Sequence, residues 1–165
     1  MTETVMGVRA FVALGANLVD PQAQVRAAAA ALNDLPGCRL VMLSSLYRTA
    51  PVGVTGEQPD YINAVAAVDT TLPPEELLQA LLALEQRFGR ERHTHLAPRT
   101  LDLDLLLYGD TVLDTPSLQL PHPRLHLRAF VLVPLAELAP ALDLPGRGSV
   151  SAWLPAVSLQ AITKV

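Results

Sequence analysis

No segment restricts the folding of this 165-residue chain as tightly as the run Arg99-Thr100-Leu101-Asp102-Leu103-Asp104-Leu105-Leu106-Leu107-Tyr108. Side chains alternate faces along a β-strand. The Leu/Asp alternation therefore sends Leu101, Leu103 and Leu105 into a core and leaves Asp102 and Asp104 together on the other face. Asp is depleted in strands, and two carboxylates on one face repel each other. Such a pair is either an exposed strand face kept soluble by charge or a site where a bound divalent cation relieves the repulsion. Mg²⁺ takes one or two carboxylates and completes its shell with waters and substrate phosphates.

Four arginines, Arg87, Arg90, Arg92 and Arg99, fall within thirteen residues just ahead of this strand, whereas Lys164 is the only lysine of the chain. The planar guanidinium grips phosphate oxygens in pairs, which the ammonium of lysine does not do. Read alone, the cluster is either an anion pocket or a solvated loop with scattered ion pairs. Beside two carboxylates it favours phosphates bridged by metal. There is no G-x-x-x-x-G-K-[ST] loop, so arginines and Mg²⁺ would have to hold any nucleoside triphosphate. A formal net charge of −4 argues against general nucleic-acid binding.

The rest of the chain supplies the frame. Val8 to Leu14 reads as a buried strand closed by Gly15-Ala16-Asn17. Asp20-Pro21 has the form of a helix start, and the Ala-rich segment to about Leu35 ends at Pro36-Gly37. Leu40 to Arg48 reads as a second strand, residues 49–60 as a loop with two Pro and two Gly, and Tyr61 to Thr70 as a third strand. Pro73-Pro74-Glu75-Glu76 opens a second helix whose apolar face holds Leu77, Leu78, Leu81, Leu82, Leu84 and Phe88. Residues 90–98 form a polar loop, Thr100 to Tyr108 is the fourth strand, and helices are expected near 124–138 and 151–161. The order β-α-β-β-α-β predicts an α+β, ferredoxin-like core: an antiparallel sheet with both helices on one face, plus a C-terminal helical extension. The length suits a single domain over 1–165. No secretory leader or apolar run of membrane-spanning length is evident, and one cysteine, Cys38, fits a reducing cytoplasm, most simply as a small buried hydrophobe.

One more segment is unusual: Leu120-Pro121-His122-Pro123-Arg124-Leu125-His126-Leu127-Arg128-Ala129-Phe130 holds two His, two Arg and an aromatic. His122 and His126 stand four apart, but the intervening Pro123 and the lack of an H-E-x-x-H pattern disfavour zinc. Capping of helix ends is the plainer use.

Five ordered blocks now resemble one family: Phe11 to Leu18 (FVALGANL), Ser44 to Thr49 (SSLYRT), Gln58 to Asn63 (QPDYIN), Pro98 to Asp104 (PRTLDLD), and Pro121-His122 through Arg128-Ala129-Phe130. The chain is similar to the 6-hydroxymethyl-7,8-dihydropterin pyrophosphokinases along nearly its whole length. The resemblance implies transfer of pyrophosphate from ATP to the pterin alcohol, leaving AMP, in folate biosynthesis, with two Mg²⁺ ions expected. It implies Asp102 and Asp104 as the metal ligands and as part of the catalytic set with Arg90 and Arg99. Arg90, Arg92, Arg99, Leu105, His122 and Arg128 match ATP-binding positions. Thr49, Ala50 and Val52 match a pterin-side loop, Tyr61 and Phe130 the aromatics that sandwich the ring, and Asn63 a contact to its polar edge. Glu85 matches a family acid without an assigned role; on the apolar side of its helix it requires a partner.

The implied partners are the two small-molecule substrates, with no nucleic acid, no membrane and no obligate protein partner evident. Three departures stand out. His95-Leu96-Ala97 replaces the usual Arg-Trp-Gly, Ala50 replaces a usual Pro, and Ser117 sits where some members use an Arg toward ATP. Two other readings are a non-catalytic nucleotide-binding ferredoxin-like regulatory domain and a Mg²⁺-dependent phosphohydrolase or nuclease. The former would not need two aligned carboxylates, and the latter would want a broad basic surface.

Overall fold

The Leu/Asp run becomes the edge strand of a mixed α+β fold. The computed structural model describes residues 7–17, 20–50, 60–89 and 101–165. In chain order the core elements are β1 (Val8–Ala16), α1 (Pro21–Asp34), β2 (Cys38–Leu43), β3 (Tyr47–Thr49), β4 (Tyr61–Thr70), α2 (Pro74–Gly89) and β5 (Asp102–Tyr108). A hairpin of β6 (Leu113–Asp114) and β7 (Gln119–Leu120) follows, then α3 (Ala129–Leu138), a second small pair β8 (Asp143–Leu144) and β9 (Gly148–Ser149), and β10 (Thr163–Lys164). The main sheet runs β10-β3-β4-β1-β5, with β2 also paired to β4, and all its pairings are antiparallel. None of the described helices is long and apolar enough to cross a membrane.

Alternation along the strands builds two cores. Ala10, Val12, Leu14 and Ala16 of β1, Ile62 to Val68 at every second position of β4, and Leu101, Leu103 and Leu105 pack with Val25, Leu32, Leu77, Leu81 and Leu84 from α1 and α2. On the other face Phe11, Ala13, Val65, Ala67, Leu106 and Leu107 pack with Leu125 and with Leu132 and Leu135 of α3. A bulge makes this division possible. Phe11 pairs with Leu107 and Val12 with Leu105, so Leu106 is the extra residue and both Leu106 and Leu107 face α3. The same bulge returns Tyr108 to the α1/α2 face, where its hydroxyl donates to the Leu72 carbonyl. Backbone beyond β7 shields part of the β5 edge: the His122 amide donates to the Leu106 carbonyl at 2.9 Å.

The structure redraws several sequence boundaries. β1 runs to Ala16, two residues past its expected end at Leu14 and into the expected turn. The expected strand Leu40 to Arg48 is two strands, because Ser44 breaks the ladder: its Oγ accepts the Val65 amide at 2.9 Å, while Ser45 turns to Glu137 on α3. Glu137 takes hydrogen bonds from Ser45 N, Ser45 Oγ and the Tyr47 hydroxyl, so this break locks α3 to the sheet. The helix expected near 124–138 begins only at Ala129; a 3₁₀ turn at Leu125–Leu127 precedes it and Arg128 between them is extended, at φ −126° and ψ 120°. The helix expected near 151–161 is a 3₁₀ segment, Val150–Val157, and the chain then leaves to form β10. Leu82 is 43% exposed and so stands off the buried stripe of α2. Cys38 is half-buried against the α1/α2 core, with its Sγ 3.3 Å from Thr70 Oγ1.

Candidate active site

α3 and its flanking turns cover only part of the second sheet face. Toward the β5 start the face stays a cleft of about 920 Å³, floored by Ala13 and Gly15 of β1 and walled by Asn63, Asp102, Asp104 and Phe130. Strand register sets this floor: Asn63, Gly15 and Asp102 lie in one row across β4, β1 and β5, and Val65, Ala13 and Asp104 in the next. The expectation that Asp102 and Asp104 share the face opposite Leu101, Leu103 and Leu105 therefore holds. Asp102 is half-buried and Asp104 exposed.

Gly15 is at this position because of a close approach. A Cβ there would lie 3.1 Å from Asn63 Oδ1, tighter than ordinary contact. Asn63 itself is only 6% exposed and donates through Nδ2 to Thr49 Oγ1 at 2.8 Å, joining β4 to β3 at the cleft wall. Thr49, Ala50 and Tyr61 line the same wall. Facing them are Arg128 and Phe130; the Arg128 guanidinium carbon sits 5.5 Å from the centre of the Phe130 ring.

A second cleft, of about 730 Å³, opens on the α2 side of β5 and is lined by Leu78, Leu82, Leu105, Ser117 and His122 among others. Asp104 and Glu85 belong to both clefts. Glu85, expected to need a partner, has one: its Oε2 accepts the Leu103 amide at 2.7 Å, fixing the strand between the two aspartates to α2. His122 accepts the Arg124 amide on Nδ1 at 3.1 Å, which leaves Nε2 as the ring's hydrogen-bond donor in the neutral form. Burial lowers its pKa below the ordinary imidazole value, and the arginines 124, 128 and 147 lower it further, against the opposing pull of Asp104. Ser117 turns to α2, donating to Glu75 Oε2 at 2.8 Å.

The structure thus gathers Thr49, Ala50, Tyr61, Asn63, Asp102, Asp104, Arg128 and Phe130 around one cleft, and Leu105 and His122 around its neighbour. Arg90, Arg92, Arg99 and Val52 lie outside the described residues, as do the 90–98 loop, with His95-Leu96-Ala97, and residues 51–59. Sequence reasoning missed Gly15 as a floor residue, although it lies within the Phe11 to Leu18 block. It also missed Gln160, which lines the first cleft and bonds the backbone on both sides of Arg128; no local pattern marks it.

A family profile described as 7,8-dihydro-6-hydroxymethylpterin-pyrophosphokinase (HPPK) matches residues 11–140. The chain is 47% identical over 157 residues to the 2-amino-4-hydroxy-6-hydroxymethyldihydropteridine pyrophosphokinase of Pseudomonas aeruginosa, covering 95% of this chain and 96% of that one. It is 45% identical over 138 residues to the protein of the same name from Haemophilus influenzae, covering 84% and 86%. Among solved structures, a crystal structure of HPPK-DHPS in complex with substrates superposes with a TM-score of 0.72 at 11% identity, a likeness of fold. The superposition takes in 92% of this chain and 43% of that one, so the present chain spans less than half of its length.

Proposed function

The chain belongs to the 7,8-dihydro-6-hydroxymethylpterin-pyrophosphokinase family, and from this premise we infer how its two clefts divide the work. The protein is an ATP-dependent transferase of folate biosynthesis: it moves pyrophosphate from ATP to 6-hydroxymethyl-7,8-dihydropterin. In our reading the pterin occupies the first cleft and ATP the second. The observation that carries this reading is their meeting point, because Asp104 and Glu85 line both clefts. A triphosphate reaching from one cleft to the other has to pass the carboxylate pair.

Asp102 and Asp104 fit Mg²⁺ by donor chemistry. Two hard carboxylates stand on one strand face, and the described residues contain no group of three or more His, Cys, Asp or Glu that would build an all-protein cage. That favours an ion completed by waters and phosphates. Two bound Mg²⁺ ions would neutralise phosphate charge and help hold the chain of phosphates in line. The protein's own residues then position the reactants. Tyr61 and Phe130 sandwich the flat pterin, and Asn63, braced by Thr49, presents its amide to the polar edge of the ring. Ala50 and Val52 complete that wall. His122, neutral and donating through Nε2, joins Leu105 and Arg92 as contacts to ATP, and Arg128, which lines the first cleft, reaches it where the two clefts meet. The hydroxymethyl oxygen attacks the β-phosphorus; the new O–P bond forms as the bond from the β-phosphorus to the α–β bridging oxygen breaks, AMP leaves with that oxygen, and the hydroxyl proton passes to solvent. Arg90 and Arg99 neutralise charge developing on the transferred group, and such transfer relies on positioning and electrostatics. The reading takes residues 1–165 as one catalytic domain acting in the cytoplasm, a setting consistent with the free Cys38.

The test is an AMP-release assay in which ATP, Mg²⁺ and the reduced pterin are omitted one at a time. AMP is expected only when all three are present. AMP release without the pterin would point to a hydrolase and overturn the reading.

A further inference from the structure

Arg128 and Phe130 sit on opposite sides of a single helix start. Arg128 is extended and its side chain makes no capping bond, although α3 begins at the next residue. The exposed amides of a helix's first turn normally find a side-chain acceptor nearby. Here the acceptor comes from thirty-one residues further along the chain: Gln160 Oε1 takes the Ala129 amide at 2.8 Å, and Gln160 Nε2 donates to the Leu127 carbonyl at 2.9 Å. One side-chain amide therefore clasps the backbone immediately before and immediately after Arg128. Gln160 is itself anchored. Three residues on, Thr163 and Lys164 pair with Arg48 and Tyr47 of β3, and the Val165 amide donates to the Leu46 carbonyl at 2.8 Å. β3 carries Thr49 on the opposite cleft wall. Residues 160–165 thus tie the Arg128–Phe130 wall to the Thr49 wall.

We propose that Gln160 is a positioning residue for the pterin cleft, holding Arg128 and Phe130 at a set distance from β3 before substrate arrives. The proposal rests on the assignment of the first cleft to the pterin. Gln160 lines that cleft and not the second, and Phe130 serves the pterin alone, so loss of Gln160 acts on the pterin more than on ATP, which feels it only through Arg128. Preorganising a wall removes an ordering penalty from binding, which appears in KM and leaves the bound-state chemistry alone.

The experiment compares wild type with Gln160→Ala and Gln160→Glu, measuring KM for each substrate, kcat and the melting temperature. Gln160→Ala is expected to raise the KM for the pterin alcohol roughly tenfold, with kcat at saturation within about twofold and the KM for ATP shifted less. Gln160→Glu keeps the acceptor for the Ala129 amide but loses the donor to Leu127, and falls between the two; it carries the comparison if the alanine variant does not fold. A lowered melting temperature with an unchanged pterin KM would reduce Gln160 to a structural strut and overturn the proposal. Wild-type protein without pterin-dependent AMP release would refute the functional reading instead, whereas an active wild type and an unaltered variant refute the role of Gln160 alone.

Discussion

The two faces of the sheet use the same strands in the same alternation and end differently. Against α1 and α2 the inward residues of β1, β4 and β5 are aliphatic apart from Tyr108 and the terminal Thr70 of β4, and most are almost fully buried. Against α3 the same strands begin in the same manner, with Val65 and Leu106 buried, but pass within a few residues to Asn63, Gly15, Asp102 and Asp104. The difference follows the length of the cover. Charged side chains are tolerated on a sheet where water or a ligand reaches them, and α3 is too short to roof the whole face. Chemistry here occupies the part of a core that was left unbuilt, on a floor held rigid by the finished core behind it.

That contrast predicts which substitutions separate activity from stability. The largest effect is expected at the carboxylates: Asp102→Ala or Asp104→Ala should cut kcat by roughly a thousandfold, with the thermal transition unchanged; near-normal turnover in either would remove the metal from this strand. The reverse pattern belongs to the closed face, where Leu81→Ala should cost about 2–5 kcal/mol in denaturant unfolding and leave activity per folded molecule intact. Gly15→Ala should be milder, raising the pterin KM by roughly tenfold or less because Asn63 must give way; no change would mean that Asn63 moves without consequence.

The smallest effect is electrostatic and lies far from the cleft. Hydrogen bonding to Arg9 is the main reason that the Asp69 pKa falls below the ordinary carboxylate value, with Arg39 adding to it. In Glu137, burial pulls upward but hydrogen bonds from Tyr47 and Ser45 prevail, and the net shift is also downward. Folded-state values below the unfolded ones mean that both groups stabilise the fold above the unfolded carboxylate pKa of about 4. That contribution is lost as pH falls through the lowered folded values. The Asp69 pair is largely solvent-exposed, so Asp69→Asn should remove below about 1 kcal/mol at neutral pH. A larger acid-dependent loss in unfolding titrations would show the pair to be better shielded than its exposure indicates.

Local rules were readable wherever local forces decide. The span of β4, the start of α1 and the shared face of Asp102 and Asp104 follow from alternation and Pro placement, and they stand as read. The misread boundaries are those set by distant partners. Ser44 ends β2 because it meets the Val65 amide across the sheet, and α3 starts at Ala129 because Gln160 arrives from the far side. Neither contact leaves a mark in its own stretch of sequence. For the cleft, family resemblance named its walls, but Gly15 and Gln160 emerge only from register and hydrogen bonding.

The bulge at Leu106 has a consequence for how this strand tolerates change. Leu105, Leu106 and Leu107 are identical letters, so losing any one of them yields the same shortened chain. That chain would form an uninterrupted ladder in which Tyr108 still pairs with Ala10 and faces α1 and α2, but only one leucine, in place of two, would point toward α3. The extra leucine thus adds a second side chain to the α3 core without altering where Tyr108 points, and a one-codon slip would open a void beneath α3 whichever of the three leucines it removed.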